Sequence, residues 1–336
     1  MTAPLTFGTN RFGFPDPARL AATCREAEAA GFSHLWFPDS QLRTGDVFVN
    51  LLTAARSTER AKVGTLLVNP VTRHPTVLAS SIATVDLYAP GRVLLGFGAG
   101  DTSVHQVGLR PARLAEQEAA VRTIRGMLAG ESLSLGWTAP SRLQHPRPVP
   151  VIVAGSGPRT LRMAGRAADG VVIRIGADPA LIQWGYDEFC EGAREAGRDP
   201  ASLWVAGHFH TVITDDVELA EARGRVMAAG YYEVARGTWA RLGLRWPCAP
   251  LEDILKEVRP DFHHAFDMAL AAKHVEAIPL SVARRFCLMG SAADVRNQLE
   301  LLVDRFPWMR HVILQPNMPG PAFIEACGAD IIPAFR

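Results

Sequence analysis

Short apolar runs alternate with segments of helical period along most of the chain. Leu5 to Thr9 reads as a strand, Pro17 opens a helix in which Leu20, Ala21, Cys24 and Ala27 precede a stop at Gly31, and His34 to Pro38 reads as a second strand. Val47 to Ser57 predicts a helix, Ala61 to Val68 a strand, Pro75 to Tyr88 a helix, Arg92 to Phe97 a strand and Leu114 to Leu128 a helix. Strands at Val151 to Ala154 and Val171 to Ile173 flank a helix opened by Pro158. Helices then follow at Pro179 to Ala196, Val217 to Ala229 and Ala292 to Phe306, and strands at Leu203 to Ile213 and His311 to Gln315. Eight strands alternating with helices predict an α/β fold, a (β/α)8 TIM-type barrel of parallel strands. Two segments break the rhythm: 132–147, rich in Gly, Pro, Ser and Trp, reads as a hairpin or lid, and 231–279 as a helical insertion. Both belong, on this reading, to one barrel domain spanning 1–336.

A barrel carries its site at the C-terminal ends of its strands. The residues at those ends are Thr9, Asn10 and Arg11, then Asp39 and Ser40, Leu66 to Asn69, Gly98 to Asp101, Gly155 to Gly157, Arg174, the His208 and His210 pair, and Gln315 to Asn317. The turn Gly155-Ser156-Gly157 precedes the helix opened by Pro158, so unpaired backbone N–H groups and the helix dipole favour an anion there, a phosphate above all. Arg159 and Arg174 supply cations on either side. A Rossmann fingerprint fails, because Thr160 stands where its third glycine belongs. His208 and His210 are two apart on one strand and so share a face, as metal ligands do, but no further carboxylate and His set accompanies them. A metal-dependent barrel hydrolase is therefore the weaker reading and no metal is expected. A non-catalytic cofactor carrier on the same fold stays open, since fold alone does not imply function.

Composition narrows the partners. Thirty-five basic against thirty-four acidic residues leave a formal net charge of +1 in 336 residues, so no long-range field favours nucleic acid or a membrane surface. The five cysteines are scattered and include no CxxC pair, which suits a reducing cytoplasm. The N-terminus lacks a signal pattern, and no apolar run approaches a membrane span. A small-molecule substrate is the expected partner. The 231–279 segment carries Tyr231, Tyr232, Trp239, Trp246, Phe262, Phe266 and Met268, which either roof a pocket for a bulky substrate or pack the insertion on the barrel. His263 and His264 read as packing within it.

Four segments in order, HLWFPDS at 34–40, GTLLVNPVTRHP at 64–75, GRVLLGFGAGD at 91–101 and VAGSGPRTLRMAGRAADGVV at 153–172, resemble the bacterial-luciferase-like superfamily. The likeness is to its coenzyme F420-dependent branch, in particular the methylenetetrahydromethanopterin reductases, and it fades beyond about residue 200. It implies an F420-dependent oxidoreductase that moves hydride between the deazaflavin and an organic substrate, with an FMN-dependent monooxygenase as the alternative. It further implies a homodimer. Carried over residue by residue, it puts the strand-two carboxylate at Asp39 beside the ring, Ser40 where sugar dehydrogenases of this branch have a His, and a non-prolyl cis peptide at Leu66–Leu67 behind the ring. Asn69, Ala99 and Gly100 fall in the cofactor loops, and Gly155, Ser156 and Gly157 at the phosphate. Asp101 is the candidate to assist the hydride step, against the plainer reading of a helix N-cap. Arg159 and Arg43 are candidates for an acidic cofactor tail. Ser40 makes the sugar type doubtful and removes the obvious general base.

Overall fold

The computed structural model describes residues 4–10 and 16–336; Arg11 lies outside them. Among the described residues nine strands occur: β1 (Thr6–Thr9), β2 (His34–Phe37), β3 (Lys62–Thr65), β4 (Val93–Phe97), β5 (Val151–Gly155), β6 (Gly170–Ile173), β7 (Trp204–Ile213), β8 (Cys287–Gly290) and β9 (His311–Pro316). Neighbours from β1 through β7 pair in parallel, β7 pairs with β9, and β9 pairs with β1. That ring is the expected eight-stranded barrel, closed and therefore without sheet edges. The extra strand is β8. His210 and Thr211 of β7 pair with β9 and also with Cys287 and Leu288 of β8, so β8 takes up the side of β7 that β6 leaves after Ile173.

The barrel is filled by one ring of inward side chains, among them Trp36, Leu66, Leu94, Ile152, Val172, Ala206 and Ile313. Trp36 is the largest, and it fits because the facing position on β3 is glycine: a Cβ on Gly64 would lie 2.5 Å from the indole. The outward faces of the strands bury Leu35, Phe37, Val63, Leu95, Val151, Val153 and Val171 in the larger core shared with the helices. Helix starts follow the sequence signals. Asp46 caps Val47–Ser57 by accepting from Phe48 and Val49 N–H, and Asp178 caps Pro179–Glu195 in the same way.

Segment 132–147 carries a single antiparallel bridge, Leu133 to Ser141. The helix predicted to stop at Ala229 runs to Val234 and so includes Tyr231 and Tyr232. Short helices at Arg236–Arg241, Leu251–Ile254, Met268–His274 and Leu280–Ala283 follow it. Their aromatic residues pack inward: Tyr232 stacks on Trp246 at 4.4 Å, and Trp239 and Tyr231 stack on Phe286 at 5.5 and 5.3 Å. Packing is the place of Tyr231, Tyr232, Trp239 and Trp246, while Phe266 is exposed and lies under Arg43. Among the described residues no helix is long and apolar enough to cross a membrane.

Candidate active site

At the strand C-termini lies a cavity of about 290 Å³, lined by residues that include Asn10, Asp39, Ser40, Leu66, Leu67, Asp101, Arg174, His208, His264 and Gln315. Its floor comes from the end of β3. Leu66 N–H still bonds Phe37 and Thr65 Oγ1 bonds Gly96 C=O at 2.7 Å, the Leu66–Leu67 peptide is cis as the resemblance implied, and the chain rejoins the sheet where Val68 bridges Phe97. The two leucines between these anchors face the cavity. Leu67 also needs Gly98, where a Cβ would lie 2.9 Å from its Cδ2.

Asp39 follows β2 and is buried, but it is not a free carboxylate. Arg73 holds both of its oxygens, Nε to Oδ2 at 2.8 Å and Nη2 to Oδ1 at 3.0 Å, and reaches Asp46 at 2.8 Å. Such a bidentate pair takes one lone pair of each oxygen, neutralises the charge and leaves the second lone pairs for another donor. Asp39, expected beside the cofactor, therefore lines the cavity as the charge-paired partner of Arg73. Sequence reading missed Arg73, which sits within the quoted VTRHP but is brought to Asp39 only by the fold.

Asp101 occupies the N-cap position of Thr102–His105, yet its side chain makes no capping bond and lies exposed along the cavity. The polar wall opposite is a network. Gln315 Oε1 accepts from Asn10 Nδ2 at 2.9 Å and lies 2.8 Å from His208 Nε2, so Nε2 carries the proton and Nδ1 a lone pair. Burial, with Arg174 adding to it, lowers the His208 pKa to about 3, and the Gln315 bond only partly opposes this. His208 is a neutral ring. His210 stacks on His263 at 4.3 Å.

The Ser156-Gly157 turn opens onto a second cavity of about 270 Å³, lined by Ser156, Gly157, Pro158, Trp184, Thr238 and Arg241 among others. Arg241 lies 4.2 Å over the Trp184 ring. Ser156 Oγ bonds the Arg174 carbonyl at 2.7 Å, which ties the turn to the end of β6, while the Arg174 side chain lines the central cavity instead. Arg159 is exposed and Gly155 buried, and neither lines either of these two cavities. Asn69, Ala99 and Gly100 stand back from both. Asn69 Oδ1 accepts from Val71 N, Thr72 N and Thr72 Oγ1, which makes it the organiser of its own turn, and Gly100, at φ 86°, packs on Val104 and Asn69.

Behind the cavity, Glu233 Oε2 accepts from Phe262 N–H at 3.0 Å. Burial raises its pKa, that bond opposes the rise, and the charges of Asp261 and Asp101 add to it, bringing the group to about 7 from an ordinary 4.5. The folded state therefore binds this proton more tightly than the unfolded chain. Stability is fully present below the ordinary value and is lost as pH climbs to 7. Glu233→Gln is expected to raise the Tm at pH 8 and to leave it nearly unchanged at pH 4; thermal scans at both pH values check this, and equal shifts would contradict it.

The luciferase-like monooxygenase family model matches residues 3–306. A 5,10-methylenetetrahydromethanopterin reductase of Methanolobus tindarius is 30% identical over 233 residues, 67% of this chain and 71% of that protein. An F420-dependent glucose-6-phosphate dehydrogenase of Microbacterium testaceum is 33% identical over 367 aligned positions, covering 100% of this chain and 99% of that protein. Among solved structures, the coenzyme F420-dependent tetrahydromethanopterin reductase of Methanopyrus kandleri superposes with a TM-score of 0.81 at 22% identity, covering 99% of this chain and 100% of that one. With the closed barrel, the strand-three cis peptide and the cavity at the strand C-termini, these matches make one assignment: the chain belongs to the luciferase-like monooxygenase family.

Proposed function

We propose that this protein is a coenzyme F420-dependent oxidoreductase, one barrel domain with 231–279 packed beside its mouth, acting on a small organic substrate in the central cavity. The observation that carries the reading is the pairing of an apolar floor, Leu66 and Leu67, with a polar wall in which Asn10 Oδ1 and His208 Nδ1 are buried acceptors lacking a partner among the described residues. A flat ring with one apolar face and N–H donors at its edge satisfies both. The glucose-6-phosphate dehydrogenase and the solved tetrahydromethanopterin reductase named above are F420-dependent, which adds weight. When bound, the deazaflavin supplies hydride chemistry through a carbon centre and does little oxygen chemistry. The residues do the rest. Leu66 and Leu67 exclude water from one face, Arg174 and the neutral His208 set the polar edge, and the Ser156-Gly157 turn with Arg241 holds the phosphate. Arg43, at the cavity rim, is the cation best placed for an acidic tail.

Titration of the purified protein with oxidised F420 and with FMN tests this. Micromolar F420 affinity and hydride transfer from reduced F420 are expected. Micromolar FMN affinity without F420 binding would move the chain to the FMN-dependent monooxygenase reading.

The reading extends to a cytoplasmic homodimer. All five cysteines are free, as a reducing compartment keeps them. Helix Pro75–Tyr88 exposes Val77, Leu87 and Tyr88, and its one charged residue, Asp86, is buried, which suits a second copy better than water. Sedimentation should give a dimer that Leu87→Glu dissociates. A monomer at every concentration would end this part.

A further inference from the structure

The segment 261–266 brings an imidazole into the cavity and locks its orientation. Asp261 begins the turn Phe262–His264, and its carboxylate takes His264 N–H at 2.9 Å, Thr102 Oγ1 at 3.2 Å, and His264 Nδ1 at 2.8 and 3.0 Å from its two oxygens. An ionised carboxylate only accepts, so Nδ1 carries the proton and Nε2 holds a lone pair. Among the described residues Nε2 has no protein partner, while the ring lines the cavity together with Asp101, Thr102 and Ser103. Two further contacts fix the segment to the barrel rim: Arg43 Nη2 reaches the His264 carbonyl at 3.5 Å, and its guanidinium lies 5.5 Å over Phe266.

Of the other side chains of the cavity, Asp101 is an exposed carboxylate that supplies charge, and the rest are committed. Asp39 is held by Arg73, His208 keeps its Nε2 on Gln315 with a pKa pushed far below neutrality, and Ser40 does not titrate near pH 7. We infer that His264, oriented by Asp261, is the acid–base group of this site, so that the substrate is an alcohol in one direction and its carbonyl in the other. The inference rests on the F420 reading above. In the oxidising direction the substrate O–H bond breaks and its proton goes to Nε2, the C–H bond breaks and its hydride goes to oxidised F420, and the C=O double bond forms; reduction runs the same atoms backwards. Asp261 holds the Nδ1–H tautomer and stabilises the imidazolium. Burial alone would raise the Asp261 pKa, but the hydrogen bond from His264, the pull of that ring once it is protonated and the bond from Thr102 outweigh it and hold the carboxylate ionised. The charged and titratable groups around His264 are Asp261 and His263 on its own segment, Arg43 from the loop after β2, Asp101 after β4, Arg174 at the end of β6, His208 on β7, and Glu233 on helix Val217–Val234. Two adjacent histidines are the only local sign of this, because Asp261 and Thr102 meet across 159 positions.

Two experiments decide. With ring-15N histidine, the signal lost in His264→Gln identifies this ring; in the wild type it should be the Nδ1–H tautomer, and Asp261→Asn should shift it towards Nε2–H. A ring already Nε2–H, or one indifferent to Asp261→Asn, overturns the proposal without reference to any cofactor. Secondary alcohols with oxidised F420, and activated alkenes with reduced F420, form the second arm. His264→Ala should lower alcohol oxidation about 100-fold or more, with unchanged F420 affinity and partial rescue by added imidazole. Alkene-only turnover, F420 binding without turnover of any alcohol, or a rate that His264→Ala leaves intact would overturn it. Failure to bind F420 would instead sink the underlying reading, and the tautomer result would still judge the dyad.

Discussion

Replacing Arg73 by alanine is expected to destabilise the fold by about 3–5 kcal/mol, the loss typical of removing one partner from a buried ion pair. The size follows from what is left behind. The Asp39 side chain is 1% exposed, and Arg73 is its only ion-pair partner among the described residues. Without it a carboxylate stays buried at the edge of the cavity, where it must take up a proton or draw in water. Arg73 also lies 5.3 Å over Phe48 and bonds the same Asp46 whose other oxygen caps helix Val47–Ser57, so the loss reaches the element that backs the site. Asp39→Asn should be milder, since the amide keeps an oxygen for Arg73 and leaves no buried charge, while Arg73 keeps Asp46. The double variant Arg73→Met with Asp39→Leu should recover most of the loss, as apolar replacements of buried pairs do. Urea unfolding of the four proteins measures all of this; an Arg73→Ala cost below about 1 kcal/mol, the range of exposed pairs, would show that Asp39 is not dependent on it.

That pair also marks where sequence reading stops. Hydrophobic period and turn residues placed all eight barrel strands, because each is a short apolar run bounded by Gly, Pro or Asp. They missed β8, since CLMG is four residues long, lacks alternation and follows the irregular 231–279 segment. The site was legible to the extent that strand ends carry it: Leu66, Leu67, Asp101 and Arg174 all line the central cavity, and Ser156 and Gly157 line the second. Partnerships were not legible. Arg73 meets Asp39 across 34 positions and Arg241 meets Trp184 across one strand and one long helix, and no local pattern encodes either. Neighbouring cations misled for the same reason: Arg159 is close to the turn in sequence but points to solvent, whereas Arg241 arrives from a distant helix.

Asp101 is the other position where a large effect is expected, and there it falls on rate and not on folding. Its side chain caps nothing and pairs with no cation among the described residues, so Asp101→Asn removes a charge at the cavity without exposing or burying anything. We propose that this charge stabilises the positive centre formed as the substrate loses hydride, a role in the reaction and not in cofactor binding. Turnover should fall on the order of 10²–10⁴-fold while the F420 dissociation constant changes little. The pH profile separates Asp101 from His264. Asp101→Asn should lower the rate by a similar factor across the range, whereas His264→Ala should erase the limb that reports the imidazole. Asp101 also acts on Glu233, whose pKa is raised chiefly by burial and only in small part by Asp101, so Asp101→Asn should lower the Glu233 titration by a small step and leave most of the rise in place. Carboxyl 13C NMR of the variant reads that shift directly, even with no substrate in hand. An unmoved Glu233 together with equal losses in rate and cofactor affinity would return Asp101 to a plain turn residue.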